Sequence, residues 1–161
     1  MAGFLDRFRE QIVNSIRREA PVSPAARIDD KIALGVLLRM VAKADTKFLP
    51  AEKEQIRQVL QEYAGLEAED LAVVLEAVRQ AEHESIDLFA FTHEISQGLP
   101  YQRKREIIEI LFRLACVDRD LAHEEYEIIR KISGLFGLDH RDFIDAKIKV
   151  KKEFGLDTSG L

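Results

Sequence analysis

The sequence predicts an all-α protein: a compact bundle of about seven to eight helices, built from two related helix–acidic corner–helix units. Three observations carry that expectation. Apolar residues recur at helical spacing along almost the whole chain, and no stretch alternates with period two for long enough to make a strand. Glycines stand where four of the helical patterns stop, at Gly65, Gly98, Gly137 and Gly155. One acidic corner is written twice, in VAKADTKFLPAEKEQIRQV (Val41 to Val59) and in LACVDRDLAHEEYEIIRKI (Leu114 to Ile132).

The elements follow in order. The opening MAGFLDRFREQIVNSIRREA is an amphipathic helix in which Phe4, Phe8, Ile12 and Ile16 recur every four residues, and Arg7, Arg9, Arg17 and Arg18 take other positions. Charges interrupt every apolar run in it, so it does not read as a signal peptide. It is expected to pack on the domain or on a second copy, with docking on a membrane surface as the alternative. APVSPAAR (Ala20 to Arg27) carries two prolines and separates that helix from the body. The expected organisation is therefore an N-terminal helix and linker over 1–26, a helical domain over 27–155, and a tail over 156–161.

In the body, a helix from about Ile28 to Ala44 turns Ile32, Val36, Leu37, Met40 and Val41 inward. Pro50 opens the next, which carries Ile56, Val59, Leu60 and Tyr63 and stops near Gly65. A third runs from about Glu67 to Glu84 on Leu71, Val74, Leu75 and Val78. Ser85 or Asp87 can cap a fourth, DLFAFTHEIS, which stops at Gly98. Pro100 opens a fifth that runs to about Val117, and its wide apolar set (Ile107, Ile108, Ile110, Leu111, Phe112, Leu114) predicts the most buried helix of all. A sixth covers about Ala122 to Phe136, and Asp139 can cap a seventh that ends at Gly155.

The two corners align. Asp45 matches Asp118, and Glu52 matches Glu125 at the same separation; Ala42, Phe48 and Ile56 match Ala115, Leu121 and Ile129. After a one-residue slip, GLEAEDL (Gly65 to Leu71) matches GLDHRDF (Gly137 to Phe143). A single unit cannot bury its apolar faces alone, whereas two packed together can. Phe48 and Leu121 are expected to plug inward and pin the turns.

The corner acids have two readings. In the first, Glu52 and Glu125 favour the positive end of the helix dipole, and Asp45 and Asp118 accept amides across the turn. In the second, Asp45, Glu52, Asp118, Asp120, Glu124 and Glu125 supply oxygen ligands to a divalent cation such as calcium, magnesium, manganese or zinc. The corner is not an EF-hand, because the ladder of acidic ligands around a central glycine is missing.

The repeated pattern Ala-Asp, an apolar residue, then a Glu opening the next helix resembles the tellurite-resistance protein B (TerB-like) family. Ala44-Asp45…Glu52 and Val117-Asp118…Glu125 carry the match. The text from Phe91 to Lys147 is similar to the family's short bacterial branch, and the resemblance covers about Ile28 to Lys152. It implies an all-helical fold, no established enzymatic activity, a loose association with tellurite or other stress resistance, and metal binding at the acidic corners. The chain departs from the family at the glycine after each Asp, which is Thr46 and Arg119 here, and at the small polar cap, which is Leu49 and Ala122.

Composition narrows the function further. Apolar residues make up 47% and charged residues 33%, which suits a water-soluble helical globule. A net charge of −5 argues against a general nucleic-acid binder, which needs a basic surface to displace counterions. The lone Cys116 cannot form an internal disulfide, no apolar stretch is long enough to span a bilayer, and the cytoplasm is the expected compartment. His83, His93, His123 and His140 make no zinc spacing, and neither a phosphate loop nor a nucleophile elbow is present in the sequence. No catalytic residue and no cofactor beyond the divalent cation are expected.

Charge is uneven: Asp45 to Glu94 holds twelve acids against four Lys and Arg. The last helix carries Arg141, Lys147, Lys149, Lys151 and Lys152 against Asp142 and Asp145. The expected function is a non-catalytic interaction domain whose partner is another protein or a second copy; a cation-binding module and a membrane-peripheral adaptor are the alternatives.

Overall fold

The computed structural model describes residues 24–44, 50–63, 65–84, 87–117 and 121–158, and every regular element among them is a helix. They are α1 (Pro24–Ala44), α2 (Pro50–Tyr63), α3 (Ala68–His83), α4 (Leu88–Ser96), α5 (Tyr101–Ala115), α6 (His123–Leu135) and α7 (His140–Glu153). The N-terminal helix expected over residues 1–20 lies outside the described residues.

Helix α1 starts at Pro24, ahead of the expected Ile28, so the second proline of the linker opens a helix rather than preceding one. Proline suits that place because its missing N–H would have no partner in a first turn. The expected domain boundary after residue 26 thus falls within the first turn of α1.

Among the described residues, α1 is the most buried helix, which corrects the expectation for α5. Ile32 to Arg39 are buried without a break, as are Val41 and Ala42, while Met40 is half-buried. Helix α5 leaves more of its length in contact with water. The reason is position: α1 packs against α2, α3, α5 and α6, so no side of its middle turns is left for solvent.

Helix α3 packs chiefly on α1, α7 packs chiefly on α5, and α1 packs on α5. The helices therefore stand in the order α3–α1–α5–α7, with α3 and α7 in outer positions. Helices α2 and α6 complete the two halves, α2 touching α1, α3 and α5, and α6 touching α5, α7 and α1. Exchanging the halves leaves this set of packed pairs unchanged. Helix α4 stands apart from that exchange and packs on α6.

The α1–α3 contact depends on Gly35. A Cβ at that position would lie 2.7 Å from Val74 Cγ1 and 3.0 Å from Val78 Cγ2. Real carbon contacts need about 3.5–4.0 Å, so only hydrogen fits. One turn on, buried Arg39 crosses to the same helix: its Nε donates to Glu82 Oε2 at 3.2 Å and its Nη2 to Oε1 at 2.5 Å. Two parallel charge-assisted bonds thus hold Nε and Nη2 of the buried guanidinium.

Three of the four helix-ending glycines adopt the left-handed backbone: Gly65, Gly137 and Gly155. After α6, the Gly137 N–H donates to Gly134 O at 3.0 Å and the Leu138 N–H to Ser133 O at 3.1 Å, which closes the helix and seats Leu138 in the core. Gly98 does not take a positive φ, contrary to the shared role its position implied. Asp87 caps α4 as expected, Oδ1 accepting from the Ala90 N–H at 2.9 Å. Asp139 occupies the corresponding place before α7 but makes no side-chain cap bond; its own N–H donates to Tyr101 Oη at 3.2 Å.

Candidate functional site

The acids singled out at the corners are only partly within the described residues. Asp45, Asp118 and Asp120 lie outside them, and so do Phe48, Thr46, Leu49 and Arg119. Glu52 lies in the first turn of α2, with its side chain outside what is described. Glu124 and Glu125 stand in the first turn of α6, the first exposed and the second half-buried. Ala122 precedes them with extended backbone and offers no side-chain cap, so these carboxylates are the groups that face the positive end of the α6 dipole. Leu121 is half-buried against the core, in the plugging position expected of it. Among the described residues, no group of three or more His, Cys, Asp or Glu side chains is placed to hold a metal ion.

The other charged surface runs from the end of α2 through the following turn onto α3. Glu62, Glu67 and Glu69 are exposed and Asp70 is half-buried. Leu71, Val74, Val78 and Ala81 turn inward, which leaves Glu69, Val73, Glu76 and Gln80 on the outward side, all exposed. Val73 is 49% exposed, with Glu69 and Asp70 one turn before it and Glu76 one turn after. Glu76 is bound by Arg79 of its own helix at 2.6 Å, which holds its carboxyl below the usual glutamate range. No ion pair neutralises Glu62, Glu67, Glu69 or Asp70 among the described residues.

The basic helix is different, because part of its charge is already paired within the chain. Lys149 Nζ reaches Glu109 Oε2 at 3.1 Å. Lys151 Nζ donates to the Asp157 carbonyl at 3.2 Å. Lys147 lies 4.6 Å above the Tyr126 ring, where burial and then neighbouring Lys151 push its pKa down. Glu153 accepts two bonds from Arg113, Nη2 to Oε1 at 2.9 Å and Nε to Oε2 at 3.0 Å, and its carboxyl is held below the usual range by that contact. Arg113 also lies 4.7 Å over the ring of Tyr63, so Tyr63 covers a cation at the surface and is 39% exposed, where the sequence placed it inward. What remains outward on α7 is Arg141, Asp145 and Lys152, all exposed, with half-buried Ile148 between them.

The second unit is pinned at one further point that the sequence did not reveal. Tyr101 Oη donates to Asp142 Oδ2 at 2.5 Å while accepting the Asp139 N–H, so the start of α5 holds the start of α7. The hydrogen bond to Asp142 holds the phenol's proton, and the Tyr101 pKa is accordingly raised. Cys116 follows the last turn of α5 and is fully buried. His93 shares a 2.9 Å contact with Gln97, and both side chains are exposed.

The model of the family described as tellurite resistance protein TerB matches residues 31–148. The chain belongs to the TerB family. No curated protein and no solved structure matches it. The TerB match runs from α1 into α7 and so takes in both acidic corners, all of α3 and the first part of α7. Its all-α architecture agrees with the seven helices of the described residues. No helix of this TerB domain, among the described residues, is long and apolar enough to cross a membrane.

Proposed function

We propose that this TerB domain is a non-catalytic interaction module of a stress-response assembly, and that its outer acidic face receives a basic protein surface. The observation that carries the reading is the set Glu62, Glu67, Glu69 and Asp70, which lacks ion-pair partners among the described residues and whose last two members stand one turn before exposed Val73. Carboxylates of one sign around an apolar side chain suit a partner with the opposite pattern, steered by charge and held by the apolar contact. They are spread over the end of α2, a turn and the start of α3, which suits an extended surface better than an ion.

Affinity capture from the native cell tests this. A partner held by the unaltered domain at low salt, and lost from Glu62→Lys plus Glu69→Lys, supports the reading. An identical set of captured proteins from both forms sinks it.

Cation binding at the corners is the second reading, favoured by the two glutamates in the uncapped first turn of α6. Calorimetry with calcium, magnesium, manganese and zinc decides it. Heat that disappears in Asp118→Ala plus Glu125→Ala supports a corner site; heat unchanged in that variant dismisses it.

A further inference from the structure

We propose that the chain associates with copies of itself head to tail, the outer face of α3 on one copy seating against the outer face of α7 on the next. This rests on the interaction-module reading above and names its basic partner as a second copy.

Three features of the fold carry the inference. First, α3 and α7 are the outer members of the order α3–α1–α5–α7, each packed chiefly on a different inner helix. Second, the faces are opposite in sign. Glu69 and Glu76 mark the outward side of α3, while Arg141 and Lys152 mark that of α7, and Arg141 and Lys152 have no ion pair among the described residues. Third, the faces share one helical spacing. Glu69, Val73, Glu76 and Gln80 recur along one stripe, and Arg141, Asp145, Ile148 and Lys152 recur at the same intervals along the other. Each stripe thus carries one aliphatic side chain among its charges, Val73 at 49% exposure and Ile148 half-buried.

Charge also decides the symmetry. Two α3 faces repel one another, as do two α7 faces, so a twofold dimer through either helix is disfavoured. Contact between unlike faces leaves one acidic and one basic face free at the ends, and the assembly grows as an open chain. Asp145 within the basic stripe and the Glu76–Arg79 bond reduce the contrast without reversing it.

Sedimentation equilibrium on the full chain tests the proposal. At about 20 mM salt, where screening extends to about 20 Å, the weight-average mass is expected to rise with concentration to twofold or more above one 18.4 kDa chain. At about 500 mM salt it returns to one chain, because exposed charges beyond about 4 Å are screened. Glu69→Lys plus Glu76→Lys removes one face, and Arg141→Glu plus Lys152→Glu removes the other; each variant alone stays monomeric. Mixed, the two variants associate in alternation, since one then carries two basic faces and the other two acidic ones. Carrying all four substitutions in one chain restores association with the faces exchanged.

A single-chain mass at every concentration overturns the inference, as does association that persists in either double variant on its own. Binding of a Lys- and Leu-rich peptide is measured in parallel. A monomeric chain that binds the peptide through Glu69 and Glu76 overturns self-association alone; a chain that does neither overturns the acidic-face reading as well.

Discussion

Gly35 tests how closely α1 and α3 approach. Replacing glycine by alanine inside a helix ordinarily stabilises by about 0.5–1 kcal/mol, because the unfolded chain loses freedom. Here the added Cβ would meet Val74 Cγ1 at 2.7 Å and Val78 Cγ2 at 3.0 Å. Both valines are buried and β-branched, so neither can swing aside without leaving its preferred rotamer. Overpacking of that kind costs about 1–3 kcal/mol. The sum for Gly35→Ala is a loss of about 0–2.5 kcal/mol, against a gain for the same change at a position with room. Val74→Ala alone removes two buried methyl groups and costs about 2 kcal/mol. In that background the new Cβ of Gly35→Ala has space and fills part of the cavity, so the two changes together cost less than their sum. The expected coupling is at least about 1 kcal/mol, read from urea denaturation of the four proteins of the cycle. Effects that add to within about 0.5 kcal/mol would refute the close approach.

Three further outcomes follow from the structure. Glu153 is held below its ordinary pKa by Arg113, so its contribution is present above the unfolded value and is lost as pH falls through the folded one. Glu153→Gln is therefore less stable than the unaltered chain near neutral pH, and the gap closes in acid; a gap that stays constant across the acid range counts against the pair. Asp87→Ala removes the cap of α4 and costs about 1 kcal/mol, with faster hydrogen exchange at Ala90, whose N–H the carboxylate accepts. Thr92 is fully buried and its hydroxyl has no hydrogen-bond partner among the described residues, so Thr92→Val raises stability by about 1 kcal/mol in thermal melts; a fall of that size would show that the hydroxyl has a partner.

Much of the fold was legible because helices advertise themselves locally. Apolar spacing located α2 to α7 to within a few residues, Asp87 and Pro100 fixed starts, and Gly137 and Gly155 fixed ends. The rank of burial was not legible. Periodicity seeks one wet side and one dry side, and ALGVLLRMVA has almost no wet side, so periodicity yields a stripe of five inner residues and not the centre of the bundle. Arg39 inside that run is the visible signal of a buried cation that needs a partner, although nothing local names Glu82.

The candidate surface divides the same way. That residues 45–94 are acidic and the last helix basic is a property of the sequence, as is the likeness of the two corners. Only the packing decides that α3 and α7 take outer positions, that Lys149 and Arg113 are occupied by Glu109 and Glu153, and that Glu69, Arg141 and Lys152 remain turned to water. Helical periodicity and charge are set within a few residues of each position, whereas which charges cancel depends on neighbours brought together from some forty residues away, as Arg113 and Glu153 are. That pairing exists only after the core has closed.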